Sequence, residues 1–315
     1  MTLNSCAMIP AALFLLALPQ ATSAQTSSSY LVVLGIAQDG GVPQAGSNEH
    51  PAWENPDLKR LVVSLGLVAP ATGERWMFEA TPDFREQLFL LDQGALAGSA
   101  PGGLAGIFLT HAHIGHYTGL IFLGHESLGA MGIPVYTMPR MAEFIATNGP
   151  WSQLVEYENI VLQQLEDGVP VQLGSGLTVT PFLVPHRQEF AEVVGFRIEG
   201  PRRSVLFIPD IDSWETWDEA GTRIESAIEA VDVAYLDGSF FANGEIPGRD
   251  MTGFPHPFIT HSMQRFAGLP AAEKAKIRFI HLNHTNPALL DDGEARKQIE
   301  QHGFRVAVEG EKVEL

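Results

Sequence analysis

The sequence predicts an α/β fold in which two sheets pack against each other with helices outside. Three observations lead there. Short apolar runs recur along the whole 315-residue chain in two groups, with helical patterns between them. The 31 glycines and 21 prolines supply many turns between short elements. A hydrophobic content of 45% supports a large core and excludes a disordered or fibrous chain.

In chain order, Tyr30 to Ile36 reads as the first strand, and Arg60 to Ala69 with Arg75 to Glu79 as a hairpin pair. Thr81 with Pro82 behind it predicts the start of a helix running through Phe84, Leu88 and Leu91. Ile107 to Thr110 is a buried strand. Further strands are expected at Pro134 to Thr137, Leu177 to Val184, Val193 to Ile198, Ser204 to Ile208, Val231 to Leu236, Ile277 to Leu282, Phe304 to Val308 and Lys312 to Leu315. Helices are expected at Gly119 to Leu128, Arg140 to Thr147, Arg223 to Ala230, Ile259 to Phe266 and Gly293 to His302. Ser239 to Gly253, with Asn243, Gly244, Pro247 and Gly248, reads as a mobile flap.

Residues 1–24 carry no charged side chain, contain an apolar stretch from Met8 to Leu18 too short to span a bilayer, and end in the small residues Ala21 to Ala24. That pattern predicts a secretory signal and a mature domain over 25–315, periplasmic or secreted, with no stable membrane insertion after cleavage. The single cysteine, Cys6, lies inside this segment, so a metal site in the mature chain must use His, Asp and Glu. Acidic residues outnumber basic ones 37 to 19, a net charge of -18 that argues against a nucleic-acid partner.

The strongest chemical signal is Thr110-His111-Ala112-His113-Ile114-Gly115-His116: three imidazoles within six residues, on a loop between a strand and a helix. Imidazole suits zinc, iron or manganese, and so dense a cluster is costly to bury unless something binds it. Other candidate ligands end apolar strands in the same way: His186 after Val184-Pro185, Asp210 after Ile208-Pro209, and His281 with His284 after Phe279-Ile280. Converging strand ends assemble a centre from residues distant in sequence.

These residues resemble the metallo-β-lactamase superfamily, whose loop reads His-x-His-x-Asp-His followed by a later His, an Asp and a final His. Within it, the chain is similar to the branch of coenzyme PQQ synthesis protein B and the phosphodiesterases of the phosphonate pathway. Leu34 to Gln44, Ala80 to Asp83, Leu236 to Ser239, His256-Pro257 and His281 to Pro287 carry that likeness. The resemblance implies a four-layer αβ/βα sandwich with metal at one edge. It implies that His111, His113 and His186 hold a first ion, that His116 and His281 hold a second, and that Asp210 bridges them. Asp210 and His256 are the implied catalytic residues, His256 as proton donor to a leaving group. Zinc is the expected metal, one or two ions, with iron or manganese as alternatives. The superfamily's loop aspartate is Gly115 here. Either the second position is weakened, or Asp39, His284 or water takes over, and Asp39 also reads as a turn-stabilising carboxylate.

The implied activity is a metal-activated hydroxide attacking a small ester, lactone, phosphodiester or amide. The alternatives are iron-dependent oxidoreductase or oxygenase chemistry, which the PQQ branch implies through oxidation of a peptide-derived precursor, a β-lactam hydrolase, and a non-catalytic metal binder. Trp53, Trp151, Trp214 and Trp217 are candidate pocket walls, and Arg187 and Arg249 are candidate contacts for an anionic group or surface salt bridges.

Overall fold

The computed structural model describes Met1 and residues 28–93 and 103–315. The expected leader falls almost wholly outside the described residues. No helix among them is long and apolar enough to cross a membrane.

The first half of the chain forms β1 (Tyr30–Gly35), β2 (Ser64–Ala69), β3 (Glu74–Phe78), β4 (Gly106–Phe108), β5 (Ile133–Thr137) and β6 (Ile160–Gln164). The second forms β7 (Val171–Gln172), β8 (Thr178–Leu183), β9 (Val194–Glu199), β10 (Ser204–Ile208), β11 (Val233–Asp237), β12 (Ile277–Ile280), β13 (Arg305–Val306) and β14 (Lys312–Glu314). The helices are α1 (Phe84–Gln93), α2 (Ile114–Tyr117), α3 (Pro139–Thr147), α4 (Trp151–Glu156), α5 (Trp214–Glu219), α6 (Ile224–Glu229), α7 (Ile259–Arg265), α8 (Ala271–Lys274) and α9 (Glu294–Gln301).

Two seven-stranded mixed sheets result, ordered β14-β1-β2-β3-β4-β5-β6 and β13-β12-β11-β10-β9-β8-β7. Each has an antiparallel part and a parallel part. The pairs β3/β4, β4/β5 and β5/β6 are parallel in one sheet, and β10/β11, β11/β12 and β12/β13 in the other. Parallel neighbours need crossover connections, so helices cover the outer faces and the strands read as continuous apolar runs. β2 is buried at all six positions. Between the sheets, Phe78 and Phe108 stack at 5.2 Å and meet Phe196 edge-on at 5.5 and 5.7 Å, tying β3 and β4 to β9 across the core. A second cluster joins Met77, Ile107 and Val135 to Phe84, Leu91, Met141 and Ile145 of α1 and α3. This is the αβ/βα sandwich that the resemblance implied.

Several local expectations differ. α1 begins at Phe84, because Thr81 accepts a hydrogen bond from the Asp83 N–H at 3.0 Å and donates to Gln87 at 2.6 Å, which spends the hydroxyl on a turn ahead of the helix. The helix expected over Gly119 to Leu128 is instead the short α2 followed by a 3-10 turn over Thr118–Leu123. That segment lies so close to the Ala80–Thr81 backbone that a Cβ on Gly119 would stand 2.0 Å from the Thr81 carbonyl oxygen. Docking, and not periodicity, sets its winding. The short strands β6 and β7 and helices α4, α5 and α8 were not expected from pattern.

Candidate metal centre

Seven of the candidate side chains follow the C-terminal ends of strands, the edge at which α/β sheets gather ligands. β4 leads to His111, His113 and His116, β8 to His186, β10 to Asp210, β12 to His281 and β1 to Asp39. The structure brings all seven together. Ligand-capable atoms of His111, His113 and His186 lie within 4.8 Å of one another, as do those of Asp39, His116 and His281, and those of His111, His116 and Asp210. Asp210 sits between the groups: its Oδ1 is 3.6 Å from His186 Nε2, while its Oδ2 is 3.0 Å from His116 Nε2 and 3.3 Å from His281 Nε2.

The remaining ring nitrogens are already committed. His111 Nδ1 is 2.9 Å from the Thr110 hydroxyl, His116 Nδ1 is 3.2 Å from Glu79, His186 Nδ1 is 2.9 Å from Asp212 and His281 Nδ1 is 2.8 Å from the Ser239 hydroxyl. Each of these contacts fixes a ring orientation and leaves Nε2 facing inward. His113 is turned the other way, with Nδ1 2.8 Å from His111 Nε2 and Nε2 3.5 Å from Glu189. Glu79 and His281 end β3 and β12 in the left-handed backbone region, at φ 76° and 65°. Both are wholly buried. A non-glycine residue held this way costs on the order of 1–3 kcal/mol and persists only where its surroundings demand it; here each side chain is swung from a strand end into the cluster.

Asp39 Oδ1, His116 Nε2, His186 Nε2, Asp210 Oδ2 and His281 Nε2 are buried and make no hydrogen bond. Left alone, such atoms cost about 1–3 kcal/mol each. A cation is the one partner that inward-facing nitrogens and carboxylate oxygens share, so the residues present fit a divalent metal centre, and this donor set suits zinc, iron or manganese. The electrostatics agree at His111 and at the carboxylates, whereas at His116 burial is outweighed by Glu79, Asp210 and Asp39, which raise its pKa well above the ordinary value. Burial, reinforced by neighbouring imidazoles, holds His111 well below the ordinary histidine range, in the neutral form that ligates. Burial works against the Asp210 and Asp39 carboxylates, but the surrounding histidines outweigh it, holding Asp210 well below its usual range and Asp39 at about 2.

His256 stands beside this cluster, its ring 5.4 Å from His186 and 5.8 Å from His281. Its Nδ1 is 2.8 Å from Asp237 Oδ2. Burial disfavours its charged form, yet Asp237, Asp210 and Asp39 prevail and raise its pKa above the ordinary value. Ser239 donates to the other Asp237 oxygen at 2.8 Å, so Asp237 and Ser239 join His256 to His281.

His284 lies elsewhere. It lines a separate cavity of ≈ 400 Å³ with His50, the two rings 6.3 Å apart, and of the pair it is His281 that reaches Asp210. Trp214 is buried and donates its indole N–H to Ser262, so it packs the core and walls no pocket. Trp217 lines a ≈ 560 Å³ cavity that contains none of the candidate ligands. Trp53 is exposed, and Trp151 lies tilted against Tyr117, ring centres 4.8 Å apart, beside the histidine loop. Arg187 is half exposed, 4.0 Å from Glu189. Arg249 is exposed on the 239–253 loop, which is tied down by the buried Met251 and by the Glu245 contact to the Phe241 N–H.

Sequence reasoning passed over Glu79, Asp212 and the orienting part played by Asp237 and Ser239. Glu79 and Asp237 carried the signal that singled out Asp210, a carboxylate ending an apolar strand.

The beta-lactamase superfamily domain pattern matches residues 74–282. Coenzyme PQQ synthesis protein B of Gluconobacter oxydans (strain 621H) is 28% identical over 307 residues, covering 89% of this chain and 96% of its own. Among solved structures, zinc-bound PqqB from Methylobacterium extorquens aligns with a TM-score of 0.73 at 23% identity, over 91% of this chain and 100% of that one. A diphosphatase of the PhnP family aligns with a TM-score of 0.64 at 20% identity, over 92% and 98%. With the two-sheet sandwich, the strand-end histidine and aspartate cluster and a domain match over most of the described sequence, this chain belongs to the metallo-β-lactamase superfamily of metallo-hydrolases and is similar to coenzyme PQQ synthesis protein B.

Proposed function

We propose that this protein is an exported, zinc-dependent hydrolase that holds two ions and acts on a small ester, lactone, phosphodiester or amide. The observation that carries the reading is the convergence of buried, hydrogen-bond-free donor atoms from His116, His186, Asp210 and His281 on one strand edge. His111, His113 and His186 would hold one ion, His116 and His281 the other, and Asp210 both. Bound there, the ions would lower the pKa of water towards neutrality and draw charge from the oxygen of the group under attack. The chain supplies the rest. Asp237 holds His256 with Nδ1 engaged, which suits that ring to deliver a proton to the departing oxygen. His113 and Asp39, with side chains 18% and 28% exposed, are the least covered of the cluster and mark the side from which a small substrate enters. The charge-free apolar segment of residues 1–24 supports export to the periplasm or beyond.

A second reading, iron-dependent oxidation on the same scaffold, draws support from the likeness to coenzyme PQQ synthesis protein B along nearly the whole chain. Protein stripped of metal and reloaded with zinc or with iron, assayed against phosphodiesters, lactones and β-lactams, separates the two. Zinc-restored turnover of at least one ester class is the expected result. No turnover with zinc, together with oxygen consumption by the iron-loaded protein, would replace the hydrolase reading with the oxidative one.

A further inference from the structure

We infer that Asp39, delivered by the turn after β1, is the carboxylate of the second metal position, and that Gly115 is glycine because that turn lies directly against it. This rests on the two-ion reading. The histidine loop of this chain has no acid of its own, since the residue before His116 is Gly115. A Cβ built on Gly115 would stand 2.2 Å from Asp39 Oδ1, 2.5 Å from Asp39 Cα and 3.0 Å from Asp39 Cγ. All three nearest atoms belong to one residue, 76 positions away in the sequence. The space in which a loop side chain would begin is therefore taken by the Asp39 carboxylate.

That carboxylate is placed as a ligand. Asp39 Oδ1 is 3.3 Å from His116 Nε2 and groups with His116 and His281. This oxygen is buried and makes no hydrogen bond to its own turn. The backbone that carries it is fixed to the strand end that carries His281: the Gln38 N–H donates to the Leu282 carbonyl at 2.8 Å, the Leu282 N–H donates to the Ile36 carbonyl at 2.8 Å, and the Asn283 amide donates to the Gln38 side chain. Asp39 and His281 thus arrive as one rigid unit from two strand ends, a suitable platform for a metal ligand.

The arrangement is exclusive. Position 115 clashes with the Asp39 backbone as well as its side chain, so an acid at 115 gains no room even when the carboxylate at 39 is removed. Gly115→Asp should therefore lower metal content, whereas an open second position would be filled by it.

Zinc titration and metal content of the full chain test the assignment. Wild type should bind two ions. Asp39→Ala should keep one and bind the second with a loss beyond the roughly 10–100-fold that removal of an outer-shell partner causes. Asp39→Asn, which keeps the shape of the side chain, should weaken the same ion. Gly115→Ala adds a methyl group and removes no donor, yet should also fall to one ion, with far-UV circular dichroism confirming the fold. Two ions bound at wild-type affinity by Asp39→Ala would overturn the assignment, as would extra metal in Gly115→Asp. A wild type that binds one ion would bring down the two-ion reading itself, an outcome distinct from failure of the variants alone.

Discussion

Asp210→Ala is expected to lose most of its bound metal and at least ~10³-fold in kcat/KM. Among the described residues, Asp210 is the carboxylate whose two oxygens face both histidine groups, with five imidazoles, His111, His116, His186, His256 and His281, within 3.8 Å. Its removal takes a donor from each ion position and leaves those rings to repel one another when protonated. Charge stabilisation by a metal is worth several kcal/mol in hydrolytic transition states, and each 1.36 kcal/mol is a factor of ten in rate. Metal analysis by plasma emission and steady-state kinetics on the same preparation check this together. A variant with full metal and unchanged kcat/KM would show that Asp210 is a bystander.

His256→Ala should behave differently, retaining both ions while losing roughly 10²–10⁴-fold in rate on substrates with poor leaving groups. Its Nδ1 is engaged by Asp237 and its ring borders the cluster, so proton delivery is the contribution proposed for it. A leaving group that departs as a stable anion needs no such proton, and on a nitrophenyl ester the loss should shrink to a few-fold. Asp237→Asn should fall between, because it releases the His256 ring and, through Ser239, loosens His281. Rates for wild type and variant across leaving groups of rising pKa decide the matter. A uniform loss at every leaving group, or loss of metal from His256→Ala, would assign the residue to the structure of the site instead.

Much of this was legible in the sequence because the chemistry sits where strands end. Apolar runs closing in His186, Asp210 and His281 repeat one local grammar, and the triple-histidine loop obeys it too. The rest depended on non-local contacts. Gly115 read alone is a missing ligand; only the packing of the Asp39 turn against it gives the glycine a reason, and no local pattern encodes a contact across 76 residues. His281 and His284 are equivalent candidates on paper, and the left-handed backbone of His281 separates them in space. β6 escaped notice because, beyond Ile160, its residues are half-buried or exposed and include Gln163 and Gln164, so it lacks a clean apolar alternation. Trp214 and Trp217 sit in a stretch that reads as a turn but folds as α5, capped by Ser213, whose hydroxyl accepts from the Thr216 N–H at 3.0 Å.

The most direct test of the central claim is anomalous diffraction at the zinc edge from crystals of metal-loaded protein. Two peaks about 3.5–4 Å apart are expected, one bounded by His111, His113 and His186, the other by His116, His281 and Asp39, with Asp210 touching both. Absence of ordered metal at this strand edge, or a peak bound by other residues, would contradict the account.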